Sequence, residues 1–335
     1  MNWLIIGDPH LKISKFDLSL QFLKWVGDVI EEHQPDMVIN LGDTFDTHSV
    51  VRSEILAEFK KHVARATKVC PYLYVLGNHD FFKPTDSKYH ALETFKGMHN
   101  LIVVDKPLTL KDLDVTFVPY IPDHTKFPTI STDICVAHQT FVGADYGYKR
   151  TDVGVDADKI SATIIISGHI HKRQSFGNVI YPGTPFAQGI DDINQSKGVM
   201  LFDTETYEYS FIESPLPKWR GMRLEVSQDM GIKEVHQQIA DNTNVVDHWA
   251  VELSGPRAEL LAYIDSKEVA ALKANRSIRF KPVYNDKDKQ MKVKIKSSSM
   301  KDIVAEYVDK VYQGSIDKSL VKTKALEILD KVRIS

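Results

Sequence analysis

Cysteine is almost absent. Cys70 and Cys135 are the only two in 335 residues, each inside or beside an apolar run, so neither a disulfide framework nor a thiolate metal site is expected. Long hydrophobic runs are missing too. None approaches the roughly 20 apolar residues that a membrane helix needs, so no membrane contact is expected. Met1–Gly7 has no basic stretch and too short an apolar segment for a secretion signal, which makes the cytoplasm the expected compartment. A surplus of positive charge is also lacking. The net charge of −3 excludes a chain wrapped in a general positive field, so any nucleic-acid contact must come from local basic patches or from metal ions.

What the chain has in number is histidine, 13 of them. Its length leads us to expect two or three domains of about 100–200 residues each. The organising stretch is Val75-Leu76-Gly77-Asn78-His79-Asp80, an apolar run that ends abruptly in a glycine, an amide, an imidazole and a carboxylate. It reads as a buried strand delivering chemistry at its carboxyl end. Asn78 offers a neutral oxygen to a metal, His79 is a titratable proton donor, and Asp80 is a neighbouring carboxylate that could orient its ring.

Upstream, the apolar run Trp3 to Gly7 leads into Asp8-Pro9-His10, where a period of two would set Asp8 and His10 on one side. Phe22, Trp25, Val26, Val29 and Ile30 then repeat at helical spacing, Met37 to Leu41 is the next strand, and Ile55, Phe59 and Val63 mark a second helix. This alternation predicts parallel strands joined by right-handed crossovers, with ligands gathered at the carboxyl ends of the strands. Beyond Asp80 the pattern turns β-like. Strands are expected at Leu101–Val104, Val115–Val118, Ile134–Ala137, Thr163–Ser167, Val179–Pro185, Val199–Phe202 and Tyr209–Ile212, forming a mostly antiparallel second half. His138 follows one of these runs and Gly168-His169-Ile170-His171 another. The expected fold class is α/β: two sheets face to face, flanked by helices.

Prolines at Ser214-Pro215-Leu216-Pro217 suggest a boundary. We expect a catalytic domain over 1–216, a small α/β domain over 217–284, a lysine-rich connector over 285–299 and a pair of helices over 300–335. Ile303, Val304, Tyr307, Val308, Val311 and Tyr312 would line the first of these helices, and Val321, Ala325, Ile328, Leu329 and Val332 the second. Two amphipathic helices beyond a tether suggest a partner.

Asp8, His10, Asp43, Asn78, His138, His169 and His171 all follow β-like runs. Mixed carboxylate, amide and imidazole ligation suits Mn²⁺, Fe or Zn²⁺ rather than Ca²⁺. One carboxylate can bridge two such ions roughly 3.5–4 Å apart, the spacing used against phosphate esters. Singly the motifs have plain readings: Asp8-Pro9-His10 as a capped loop, Asp46 as the cap of the next helix. Tyr146, Tyr148, Lys149 and Arg150 mix aromatic and basic groups as a nucleic-acid contact does, although many such loops are inert. His48 is a weaker candidate of the same kind.

The order Asp-X-His, Gly-Asp-X-X-Asp, Gly-Asn-His-Asp, His and Gly-His-X-His resembles that of the calcineurin-like metallophosphoesterases. The resemblance implies that Asp8, His10, Asp43 and His171 hold one metal, and Asp43, Asn78, His138 and His169 the other. It makes His79 the group that stabilises the transition state or protonates the leaving alkoxide, with Asp80 fixing its tautomer. Asp8-Pro9-His10-Leu11, Gly42-Asp43-Thr44-Phe45-Asp46, Tyr181-Pro182-Gly183-Thr184-Pro185 and Lys197-Gly198-Val199 are similar to the SbcD branch, the nuclease subunit of a DNA double-strand-break repair complex. That branch implies a capping domain, a helix-loop-helix docked on an SMC-like ATPase, a homodimer, and Mn²⁺-dependent exonuclease and endonuclease activity on DNA. Two residues depart from its pattern: Lys12 replaces a glycine, and Asp46 stands where archaeal and eukaryotic members carry a histidine. The alternative is a stand-alone phosphodiesterase or phosphatase acting on small esters.

Overall fold

In the computed structural model, residues 1–46, 48, 51–83, 86–227, 230–285, 304–305, 307–309 and 317–332 are described. Two six-stranded mixed sheets pack face to face. The first runs, edge to edge, Tyr209–Glu213, Gly198–Asp203, Asn2–Ile6, Met37–Asn40, Tyr72–Val75 and Leu101–Val104. Helices Phe16–His33 and Ser53–Ala66 make the crossovers between its parallel strands.

Alternation along each strand sorts the core. Leu4 and Ile6 point out toward Phe22, Val26 and Phe59 of the two helices. Trp3 and Ile5 point in, against Phe117, Ile134, Val136 and Ile166 of the second sheet. Both faces are therefore covered, which is why these strands read as continuous apolar runs. Each such side chain contributes about 1.5–3 kcal/mol on burial, and the strand ends are thereby held against one another.

The second sheet runs Gln174–Phe176, Val179–Tyr181, Ile164–Gly168, Ile134–His138, Val115–Val118 and Leu108–Leu110. The expectation of a mostly antiparallel second half is corrected here. Three of this sheet's pairings are parallel: the strand Gln174–Phe176 intervenes between Ile164–Gly168 and Val179–Tyr181, and residues 119–133 and 139–163 cross over instead of turning back as hairpins. These crossovers hold only single 3₁₀ turns, at His124–Lys126 and Ala157–Lys159, so no helical periodicity announced them. Gly198–Asp203 and Tyr209–Glu213 are antiparallel as expected, but they complete the first sheet.

Ser214–Pro217 leads to a third, three-stranded parallel sheet of Trp219–Glu225, His248–Gly255 and Ser277–Tyr284. Helices Ile232–Asn242, Arg257–Ile264 and Lys267–Asn275 cover one face around Val235, Val251, Leu253, Leu260 and Val269. Helix Lys267–Asn275 and the strand Ser277–Tyr284 fall inside the expected small α/β domain, and the strand ends just before the expected connector at 285–299. All but the first residue of that connector, and most of the first terminal helix, lie outside the described residues. The second terminal helix is present as Lys318–Val332. Among the described residues no helix is long and apolar enough to cross a membrane.

Candidate metal centre

The carboxyl ends of the strands of both sheets meet at one place. Asn2–Ile6 hands over to Asp8 and His10, Met37–Asn40 to Asp43, and Tyr72–Val75 to Asn78 and His79. From the second sheet His138 ends one strand, and its paired neighbour Gly168 precedes His169 and His171. Sharp turns are needed to aim these side chains inward, and three of the residues pay with left-handed backbone: His10 (φ 45°), Asp43 (φ 47°) and His169 (φ 82°). Gly77 is required by proximity, because a Cβ there would lie 2.2 Å from Asp43 Oδ1 and 2.6 Å from His138 Cε1.

All seven expected ligands converge. Asn78 Oδ1 lies 2.7 Å from His169 Nδ1 and 3.1 Å from His138 Nε2. Asp43 Oδ2 lies 3.3 Å from His138 Nε2 and 3.9 Å from His10 Nε2. His10 Nε2 and His171 Nε2 face each other at 2.9 Å. Backbone partners set the orientations: His169 N–H donates to Asp8 Oδ2 at 2.7 Å, and His79 N–H to Asp43 Oδ1 at 2.7 Å. His138 Nδ1 meets the Leu41 carbonyl at 2.6 Å, which turns Nε2 toward the centre.

These residues fit a pair of divalent cations. Asp8 Oδ1 is fully buried and has no hydrogen-bond partner among the described residues, an expensive state for a carboxylate oxygen unless a cation is near. Two imidazole nitrogens aimed at each other cannot both carry protons. Asp8, His10 and His171, and separately Asp43, His138 and His169, place their ligand atoms within 4.8 Å of one another.

Asp80 does not orient His79. Its carboxylate, 1% exposed, accepts from Gly77 N–H at 2.8 Å, Asp43 N–H at 2.9 Å and the Tyr74 hydroxyl at 3.0 Å. It is buried within the tight turn Asn78–Asp80 and staples together the loops that carry Gly77 and Asp43. His79 Nδ1 instead meets the Asp46 carbonyl at 3.0 Å. Asp46 does not cap the next helix, which starts at Ser53 behind Arg52. Its carboxylate pairs with Lys12 at 2.9 Å, so the two departures from the family pattern form one ion pair.

His48 is stacked on the half-buried His79, with ring centroids 4.3 Å apart. Tyr148, 81% exposed, helps line a cavity of about 920 Å³ together with His169, His171 and Asp192. Lys149 and Arg150 are exposed on the same loop but outside that lining. Sequence reasoning missed Tyr120, whose ring stacks on His169 at 5.6 Å. It follows the strand Val115–Val118, so the strand-end rule that located the other residues could have found it. It also missed Asn40, which accepts from Gly42 N–H at 3.0 Å and donates to Thr44 Oγ1 at 3.0 Å; a strand-end asparagine carries no signal of its own.

The charges in the centre act on one another at short range. Burial, with help from the charge of Asp43, pushes Asp8 and Asp80 up to about 7. Burial also acts to raise Asp43, but His138 and His10 outweigh it and hold it below the ordinary carboxylate range. Burial alone would lower His138, yet Asp43 and Asp8 push it up to about 9, while burial drives His10, His169 and His171 down. A histidine raised from 6.5 to about 9 stabilises the fold fully below pH 6.5, and that stability is lost as pH rises toward 9. Asp8 and Asp80, raised from 3.8 to about 7, have lost most of their contribution by pH 7, in the same direction. In chelator, unfolding free energy should therefore fall as pH rises from 7 to 8.5, since His10, His169 and His171, held low, have little left to titrate in that window. Denaturant titrations across that window check it, and a flat or rising trend contradicts it.

The sequence profile of the calcineurin-like phosphoesterases matches residues 1–173, just over half of the chain. The chain belongs to the calcineurin-like phosphoesterase family. Membership makes it a phosphoester hydrolase of a family that uses divalent metals, consistent with the ligand groups above. Among curated relatives, a protein named phosphoesterase 244L of Invertebrate iridescent virus 6 is 27% identical over 246 residues, covering 67% of this chain and 86% of that one. A protein named phosphoesterase 078R of Invertebrate iridescent virus 3 is 25% identical, covering 64% of this chain and 66% of that one. Exonuclease subunit 1 of Enterobacteria phage T4 is 26% identical, covering 63% of this chain and 67% of that one.

Proposed function

We propose that this phosphoesterase is a dinuclear-metal DNA nuclease, with exonuclease and endonuclease activity, that processes DNA ends with an SMC-like ATPase in the cytoplasm. The observation that carries the reading is the position of Asp43 Oδ2 between His138 and His10, with His79 beside it on the open side of the cluster. In this reading Asp8, His10, Asp43 and His171 hold one ion, and Asp43, Asn78, His138 and His169 the other. Mn²⁺ suits that donor set. Bound there, the ions would supply Lewis acidity toward a phosphoryl group.

The chain's own groups do the rest. His79, whose Nδ1–H donates to the Asp46 carbonyl, would give the proton on Nε2 of its imidazolium form to the leaving oxygen. The phage relative named as an exonuclease subunit favours a polynucleotide over the alternative of a small phosphodiester. Tyr148, Lys149, Arg150 and His48 are assigned to DNA contact. Residues 217–284 form a cap, 285–299 a tether and 300–335 the ATPase-binding segment, and the nuclease works as a homodimer.

Digestion of end-labelled duplex DNA with Mn²⁺ tests this. Wild type should degrade it, and His79→Ala should be slower by about 10²–10⁴-fold at unchanged metal content. Equal rates, or cleavage of a nucleotide diester without any of DNA, would refute the reading.

A further inference from the structure

Lys197 sits just before the strand Gly198–Asp203, whose antiparallel course places its start beside the carboxyl end of Asn2–Ile6. Its side chain is 3% exposed. Burying an ammonium is costly unless every N–H finds a partner. Here all three do: Asp192 Oδ1 at 2.6 Å, Gln195 Oε1 at 3.0 Å and the carbonyl of His171 at 2.9 Å. The other oxygen of Asp192 accepts from Gln188 N–H at 2.6 Å and Gly189 N–H at 3.2 Å. The Gln188 side chain then donates to the Pro9 carbonyl at 2.8 Å.

This chain of bonds starts on the backbone of His171, which follows a strand of the second sheet. It ends on the residue before His10, which follows a strand of the first. The two imidazoles it flanks are the pair whose nitrogens face each other at 2.9 Å. Among the described residues, no hydrogen bond of Lys197, Asp192 or Gln188 reaches Asp43, Asn78, His138 or His169. The bracket therefore spans the two sheets and grips one half of the centre only.

Resting on the dinuclear reading above, we infer that Lys197, Asp192 and Gln188 are positioning residues that set the metal position of His10 and His171, independently of the other. The His171 carbonyl also accepts from Thr184 N–H at 3.1 Å, and His10 N–H donates to the Asp43 carbonyl at 3.0 Å; the buried ion pair adds the link that joins the His171 carbonyl, through Gln188, to Pro9. Partners that orient ligands in this way typically govern metal affinity by about 10–100-fold.

The test is calorimetric titration of Mn²⁺ into metal-stripped protein, with metal content measured on the same samples. The variant is the double substitution Lys197→Met with Asp192→Asn, which removes both charges at nearly constant volume and leaves no buried ion unpaired. Expected is a wild type with two sites and a folded variant in which one site weakens about 10–100-fold while the other keeps its affinity. Two unchanged sites, or equal weakening of both, overturn the inference. A wild type that binds fewer than two ions overturns the dinuclear reading itself, and the inference with it. If the double variant does not fold, Gln188→Ala decides, since it breaks the link to Pro9 without touching a charge: an unchanged pair of sites overturns the inference, and selective weakening of one supports it.

Discussion

Asp43→Asn is expected to lower kcat/KM on any phosphodiester by about 10³-fold or more and to leave the chain with at most one bound metal. Asp43 is 2% exposed and contacts both halves of the centre, through His138 and through His10. Its carboxylate stays ionised because those histidines outweigh the cost of burial. An amide of the same shape can still accept from His79 N–H, so the loop should keep its course while the charge that the proposed two-ion centre would require there disappears. His138, without its main counterion, should lose its raised proton affinity. Metal analysis and steady-state kinetics check this together. Retention of two ions and of activity within tenfold would remove Asp43 from the bridging role.

Asp80→Ala should act on the scaffold first. Removing this carboxylate leaves the peptide N–H groups of Gly77 and Asp43 and the Tyr74 hydroxyl buried without their acceptor. Each such loss costs about 1–3 kcal/mol, and a net destabilisation of about 3–5 kcal/mol is expected. For a unit of this size that lowers Tm by about 10 °C. Activity should fall in parallel, because the two stapled loops carry Asp43, Asn78 and His79. Had Asp80 served to orient His79, the same variant would lose rate at an unchanged Tm. A melting curve therefore separates the two roles, and an unshifted one would reinstate the orienting role.

Much of the framework was legible in the chain. The run-then-polar pattern at Asp8, Asp43, Asn78, His138 and His169 located strand ends, because a strand covered on both faces must be apolar until it leaves the sandwich. The alternating helices of the first sheet were readable for the same reason: each buries one stripe, at residues such as Phe22, Val26 and Phe59. The second sheet was harder. Its parallel crossovers lack long helices, so nothing periodic distinguishes them from hairpins.

By itself the sequence determined which residues could form a metal centre, since only side-chain type and order along the chain are needed to name carboxylates, amides and imidazoles that follow buried runs. Tertiary structure alone decided their second partners. Whether Asp80 faces His79 or the loop amides, whether Lys12 finds Asp46, and whether Lys197 reaches the carbonyl of His171 depend on directions set by turns and by the packing of two sheets. Adjacency in sequence says little about these, because a hydrogen bond is satisfied within about 3 Å in space and residues 26 positions apart along the chain, such as His171 and Lys197, meet only when the sheets close.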